Sequence, residues 1–233
     1  MWWDGSSSLG HFIAALVQFT DIIGLGPYQL RPHEQVLRAT LRYYVDTVFY
    51  ATAIGNSASL HEISIPWNAS VTTFNTFTGA QGLNEAEYRV PMVATALATQ
   101  AGWFNIDVTA SVNRWINGTS NNGWIWLPTG GSGGSQIRAC DAPADRRVNL
   151  AIVAMVLPPM PPSPPATPPP PPRPPSPPPS PPMAPLSVIT IGNAEHAWLR
   201  KTAPTTNYAG TLDIFWDGNS PYAGGAPRTF SPE

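Results

Sequence analysis

A single cysteine, Cys140, in 233 residues excludes an intrachain disulfide and any thiol-rich metal site. It reads as a buried, inert small residue, or, in a secreted chain, as a thiol able to join two copies. Charge is scarce as well. Only 11% of residues are charged, the net charge is -2, and there is no run of Lys or Arg to neutralise a phosphate backbone, so nucleic acid is not an expected partner. No stretch approaches the roughly 20 apolar residues that span a bilayer, and no membrane partner is expected. Nor does the N-terminus read as a signal peptide, because MWWDGSSS has no positive charge and its polar run precedes the apolar FIAALVQF.

Proline, by contrast, is in excess. There are 29, and 19 of them fall among the 28 residues from Pro158 to Pro185, PPMPPSPPATPPPPPRPPSPPPSPPMAP. Proline lacks a backbone N–H and has a fixed φ, so this run is expected as an extended polyproline II linker, outside any helix or sheet. At roughly 3.1 Å per residue it reaches about 87 Å. It separates residues 1–157 from residues 186–233, and the two parts share a phrase. MWWDGSSS opens the first, and FWDGNSP, Phe215 to Pro221, lies near the end of the second. Two partial copies of one module, cut at different places, would produce that pattern.

The first part reads as strands. In VLRATLRYYV, Leu37, Ala39, Leu41, Tyr43 and Val45 alternate with Val36, Arg38, Thr40, Arg42 and Tyr44, giving one buried and one mostly wet face. Residues 12–19, FIAALVQF, are apolar on both faces and read as a more central strand, and residues 148–156, VNLAIVAMV, form a third run. In Asp107 to Gly118 the residues Val108, Val112, Trp115 and Ile116 share one helical face, with Asp107 or Thr109 as N-cap and Gly118 as stop. NNGWIWLP and SQIRAC flank TGGSGGS and read as the two strands of a hairpin. The expected fold class is mainly β: an antiparallel, jelly-roll-like β-sandwich with one short helix, plus the polyproline II linker.

Catalytic patterns are sought and not met. His33-Glu34-Gln35-Val36-Leu37 and His61-Glu62-Ile63-Ser64-Ile65 begin like a zinc-protease helix, but each has an aliphatic residue where the second histidine must stand. One imidazole does not build a three-ligand zinc site, so neither metal nor cofactor is expected. Gly130-Gly131-Ser132-Gly133-Gly134 has nucleophile-elbow spacing without the strand-to-helix context, and reads as a loop tip. Glu85 and Glu87 sit at i and i+2, which share a face on a strand, and read as solvated surface. The chain is therefore read as non-enzymatic, with no catalytic residues.

Aromatic rings serve either as core or as platforms for the C–H face of a sugar. Trp124, Trp126 and Trp115 read as core. In Leu212-Asp213-Ile214-Phe215-Trp216, alternation puts Phe215 on the side of Asp213, facing solvent. Trp2 is its counterpart in the first copy, and Trp2 with Phe215 are the candidate carbohydrate-binding residues. Asn68-Ala69-Ser70 and Asn117-Gly118-Thr119 fit the N-glycosylation pattern, so Asn68 and Asn117 are candidate glycan acceptors.

The order of motifs is similar to the DNRLRE-type β-sandwich, a family grouped with carbohydrate-binding modules. It is carried by Arg38 to Arg42 in a strand, Trp67 followed by Ser70-Val71-Thr72, Asp107-Val108-Thr109 with Val112 and Trp115, and Asn121-Asn122-Gly123. Asn193-Ala194, Trp198-Leu199-Arg200 and Pro204 to Tyr208 resemble the opening strand and turn of the same family. Arg138-Ala139-Cys140-Asp141 departs from it, standing where a Ser-Arg-Glu-like stretch belongs. The resemblance implies a module over 1–157 that lacks its first strand, and the N-terminal part of a second over 186–233.

The proline run resembles the hydroxyproline-rich stalks of green-algal cell-wall glycoproteins, which implies modification at Ser163, Ser176 and Ser180. Together these features imply an extracellular or cell-wall glycoprotein fragment whose partners are the polysaccharides or glycoprotein glycans of a wall, the signal peptide belonging upstream of Met1. The alternatives are a purely structural matrix protein, or the accessory region of a larger secreted polysaccharide-degrading or proteolytic enzyme. Residues 188–216 carry the opening-strand pattern and are expected to supply the missing strand, by self-association with a neighbouring copy. A synthetic 158–185 peptide is expected to give the circular dichroism of polyproline II, and an unordered spectrum would contradict the linker reading.

Overall fold

Alternating apolar residues build a long strand, β2 (Glu34–Phe49), whose Ala39, Leu41, Tyr43 and Val45 are fully buried or nearly so. The structure, a computed structural model, describes residues 13–32, 34–49, 57–79, 82–97, 100–130, 134–140, 142–156, 186–192, 194–200, 203–209 and 213–217. Trp2, His33, Ser163, Ser176, Ser180 and the whole run 158–185 lie outside them. The described chain is mainly β, with two antiparallel sheets and two helices.

One sheet has the order β10-β1-β6-β3-β4, from β1 (Ile13–Gln18), β3 (Ser57–Glu62), β4 (Ala94–Leu97), β6 (Trp124–Gly130) and β10 (Glu195–Arg200). The other has the order β11-β7-β2-β8-β9, with β5 also on β2. Its members besides β2 are β5 (Gly102–Asp107), β7 (Gly134–Arg138), β8 (Asn149–Val156), β9 (Leu186–Ile191) and β11 (Asp213–Asp217). The sheets meet through aromatic rings: Tyr43 of β2 lies 6.0 Å from Trp126 of β6, edge to face. Residues 14–17 of β1 and 124–127 of β6 are all buried, so both faces of these interior strands are covered, as expected for the apolar run at 12–19.

Alternation fails between Val36 and Arg38. Val36 is 4% exposed and Leu37 44%, the reverse of the expected faces, because the pairing of β2 with β8 shifts register between Val36 and Arg38. A bulge inserts one residue and swaps every face on its far side. The expected hairpin is also corrected. β6 pairs with β1 and β3, whereas β7 pairs with β2 and β11, so the two strands belong to different sheets. Turn residues identify a reversal of the chain but not the sheet in which it lands.

Two helices stand where one is expected. α1 (Phe74–Thr78) carries a Thr73/Thr76 capping box and buries Phe74 and Phe77. α2 (Thr109–Ile116) buries Val112 and Trp115, with Val108 at its N-cap position. The expected cap residues act one step removed: Asp107 Oδ1 accepts from Thr109 N at 2.9 Å, and Thr109 Oγ1 accepts from Ala39 N at 2.9 Å. The helix is thereby tied to β2. Trp115 packs on Trp124 at 4.6 Å between centroids, and the Trp124 indole N–H donates to Ser111 Oγ, fixing α2 to β6.

The strands after the proline run complete both sheets of this chain. β9 pairs with β8, β10 with β1 and β11 with β7, all antiparallel. Ile189, His196, Ala197 and Leu199 of this segment are buried. Asn207 Nδ2 donates to the carbonyls of Ala69 and Thr72 at 2.8 and 2.7 Å, and Asn75 N donates to Pro204 O at 2.9 Å. Burial of the two large aliphatic side chains alone contributes roughly 1.5 to 3 kcal/mol each.

The bulge makes a direct test. Val36→Asp is expected to destabilise the fold by about 3 kcal/mol or more, because it buries an unpaired charge, and Leu37→Asp by no more than about 1 kcal/mol. Urea denaturation reads both, and equal losses would contradict the bulged register.

Candidate functional site

Past the bulge, Arg38, Thr40, Arg42, Tyr44 and Asp46 point away from the core of the sandwich. On the neighbouring β5, Trp103, Asn105 and Asp107 do the same, while Ile106 is buried. The register sets Tyr44 opposite Trp103, Arg42 opposite Asn105 and Thr40 opposite Asp107. Directly opposed side chains of one sheet face are in contact, so a composite surface follows from pairing alone.

The Tyr44 and Trp103 rings lie 5.6 Å apart at 79°, and Trp103 is 37% exposed. Arg42 sets its guanidinium 4.9 Å from the Trp103 centroid, and Arg146 sits 5.0 Å from that of Tyr44. Such cation–π contacts hold a planar donor group beside a ring. Asp46 closes one end, ion-paired with Arg138 at 3.0 Å and with Arg146 at 3.6 Å. At the other end, hydrogen bonds from the side chain and then the backbone of Thr109, with the Arg38 charge, hold the Asp107 carboxyl below its ordinary pKa. Arg42 has no carboxylate partner among the described residues. The surface thus combines two aromatic rings with guanidinium donors and carboxyl and amide acceptors.

The sequence does not single out Trp103 or Tyr44 as a pair. The usable signal was local: in Trp103-Phe104-Asn105-Ile106-Asp107, alternation puts Trp103 on the side of Asn105 and Asp107, the logic that selected Phe215. Phe215 itself lies on β11 opposite Gln136, where only its backbone is described, and Trp2 lies outside the described residues. Trp115, Trp124 and Trp126 are buried, as expected of core.

Both acceptor asparagines are exposed. Asn68 Oδ1 accepts from Ser70 N at 2.9 Å and from Ser70 Oγ at 2.6 Å, and Asn117 Nδ2 donates to Asn113 O at 2.8 Å at the end of α2. Cys140 is buried.

A second polar centre is a brace. Glu62, buried at the end of β3, accepts a forked pair of hydrogen bonds from Arg114 of α2, with Arg89 Nε at 3.9 Å. The carboxylate borders a cleft of about 210 Å³ that also touches Ser64, Thr119 and Asn122. With both its oxygens engaged, Glu62 anchors α2 to β3. His61 beside it is also structural, its Nε2 on Ser59 Oγ and its Nδ1 on the Arg89 carbonyl, both at 2.9 Å. Glu87 departs from its reading as solvated surface. It is 8% exposed, and its carboxylate accepts from Asn84 N at 2.8 Å, closing a turn, whereas Glu85 is exposed.

Among the described residues no helix is long and apolar enough to cross a membrane, and no three His, Cys, Asp or Glu side chains gather to suit a metal ion. The chain matches no family model, no curated protein and no solved structure.

Burial of His61 pushes its imidazole below the ordinary value, against a weaker raising effect of the Arg89 carbonyl. The unfolded state then binds more protons, so this contribution to stability is complete above about pH 6.5 and is lost as pH falls through that value. His61→Gln is expected to flatten the acid side of the stability profile by up to about 1.4 kcal/mol per pH unit, the one-proton limit. Denaturation at pH 7, 6 and 5 checks it, and an unchanged slope would contradict the assignment.

Proposed function

We propose that this chain is a non-enzymatic carbohydrate-binding part of an extracellular or cell-wall glycoprotein, and that it holds polysaccharide on the open face of β2 and β5. The observation that carries the reading is the exposed Trp103 ring set in register beside Tyr44, with Arg42 over its face. A pyranose presents C–H groups that pack on such a ring, and its hydroxyls accept from guanidinium and donate to carboxyl or amide oxygens. A sheet face is flat and extended, which suits a polymer rather than a small molecule enclosed in a pocket.

Two further features support it. Asn68 and Asn117 are exposed, as glycan acceptors must be, and the Ser-Pro composition of 158–185 suits a glycosylated stalk. The likeness of motif order to DNRLRE-type modules points the same way. A purely structural role in a matrix is favoured by one observation: Asp46 is already ion-paired with Arg138 and Arg146 along the edge of the face.

Retention on insoluble wall polysaccharides separates the two. The intact chain is expected to be retained by at least one polymer, and Trp103→Ala to lower its affinity about tenfold or more, a loss of at least about 1.4 kcal/mol, with the circular dichroism unchanged. Absence of retention by the intact chain on neutral and acidic polymers alike would overturn the binding reading and favour the structural one.

A further inference from the structure

The strands on either side of the proline run pair with one another. Met155 of β8 and Leu186 of β9 are register partners, so their backbones lie about 5 Å apart across the antiparallel pair. Two residues suffice to connect such a pair. Here the connection contains the 28 residues 158–185, of which 19 are proline, with a straight reach of about 87 Å. Pairing β9 with β8 of its own chain therefore requires a stiff run to return upon itself. The residues that interrupt the prolines are few, chiefly Met160, Ala166-Thr167, Arg173 and Met183-Ala184.

A linker much longer than the distance it bridges lowers the effective concentration of one end for the other, and stiffness lowers it further. The segment it carries has every reason to dock. Without it β1, β7 and β8 each lose a backbone partner, and the cover supplied by Ile189, Ala197 and Leu199 is gone. The same hydrogen bonds, including those of Asn207 to Ala69 and Thr72, form equally well with the segment of another copy. Docking within the chain and docking between chains thus differ only in the linker and the protein concentration.

We infer that two copies of this chain exchange residues 186–217 reciprocally, each completing the two sheets of the other. The occupant of the β1, β7 and β8 edges is the segment of a second copy. Reciprocal exchange leaves none of the β1, β7 and β8 docking edges vacant and so closes as a dimer, where one-way donation would propagate.

Cysteines at Val153 and Val188, which are register partners on β8 and β9, read the connection directly. Full-length Val153→Cys and Val188→Cys chains, each also Cys140→Ala, are refolded together and oxidised. Exchange is expected to give a disulfide-linked heterodimer on a non-reducing gel, and the double variant Val153→Cys/Val188→Cys to give covalent dimers. A double variant that closes its disulfide within one chain, with no cross-chain product, would overturn the proposal. Light scattering on the unmodified chain gives a second reading that needs no disulfide. Twice the 25.0 kDa chain mass is expected at micromolar concentration, reverting to one chain mass when 158–185 is replaced by a short Asn-Gly turn. A single chain mass for the unmodified protein at every concentration would also overturn it.

Discussion

An unpaired strand edge presents a row of backbone donors and acceptors with no partner, and the architecture of this chain is governed by how three such edges are closed. β1 needs β10, β8 needs β9 and β7 needs β11, and all three partners come from beyond the proline run. The segment is integral for a second reason. Leu199 and Ala197 lie fully buried beside the equally buried residues of β1, so pairing and apolar burial act at the same place. Proline has no backbone N–H to donate to a ladder, and 19 of the 28 residues 158–185 that separate β8 from β9 in the sequence are proline.

Inside the sandwich the large aromatics have fixed duties. Trp124 holds α2 through Ser111 and Trp115, and Trp126 meets Tyr43 of the facing sheet. Tyr43 stacks on Phe104 on the inner face, while its neighbour Tyr44 meets Trp103 on the outer one. The same β2–β5 register therefore generates both a core pair and a surface pair. The outer rings thus stand on strands whose opposite face is packed in the core.

Much of the strand content was legible because period-two alternation and continuous apolar runs need no tertiary information. Residues 12–19 and 148–156 and most of 36–45 fall into this class, as do the buried tryptophans and the apolar stripe of α2. The exceptions have physical causes. The bulge at Val36 is an insertion in a pairing, and nothing in the strand's own pattern reveals its partner. The five residues of α1 are too few to display a helical period, although the Thr73/Thr76 capping box was there to be read. Glu87 is buried because a turn folds its carboxylate back onto Asn84, which i to i+2 spacing does not encode.

The candidate surface was less legible, since it is a property of two strands together. Trp103 alone is a tryptophan in an alternating run, and Tyr44 alone is a polar-side aromatic. Only the β2–β5 register makes them neighbours and brings Arg42 and Arg146 over their rings. By itself the sequence determined the β class, the concentration of proline in 158–185, the single thiol and the sparse charge, because these depend on residue type and local period. Tertiary structure alone decided which strand pairs with which, that β6 and β7 fall in different sheets, and that the last strands join both sheets of their own chain. Those outcomes rest on edges and faces far apart in the chain, whose matching is a long-range choice that no local pattern carries.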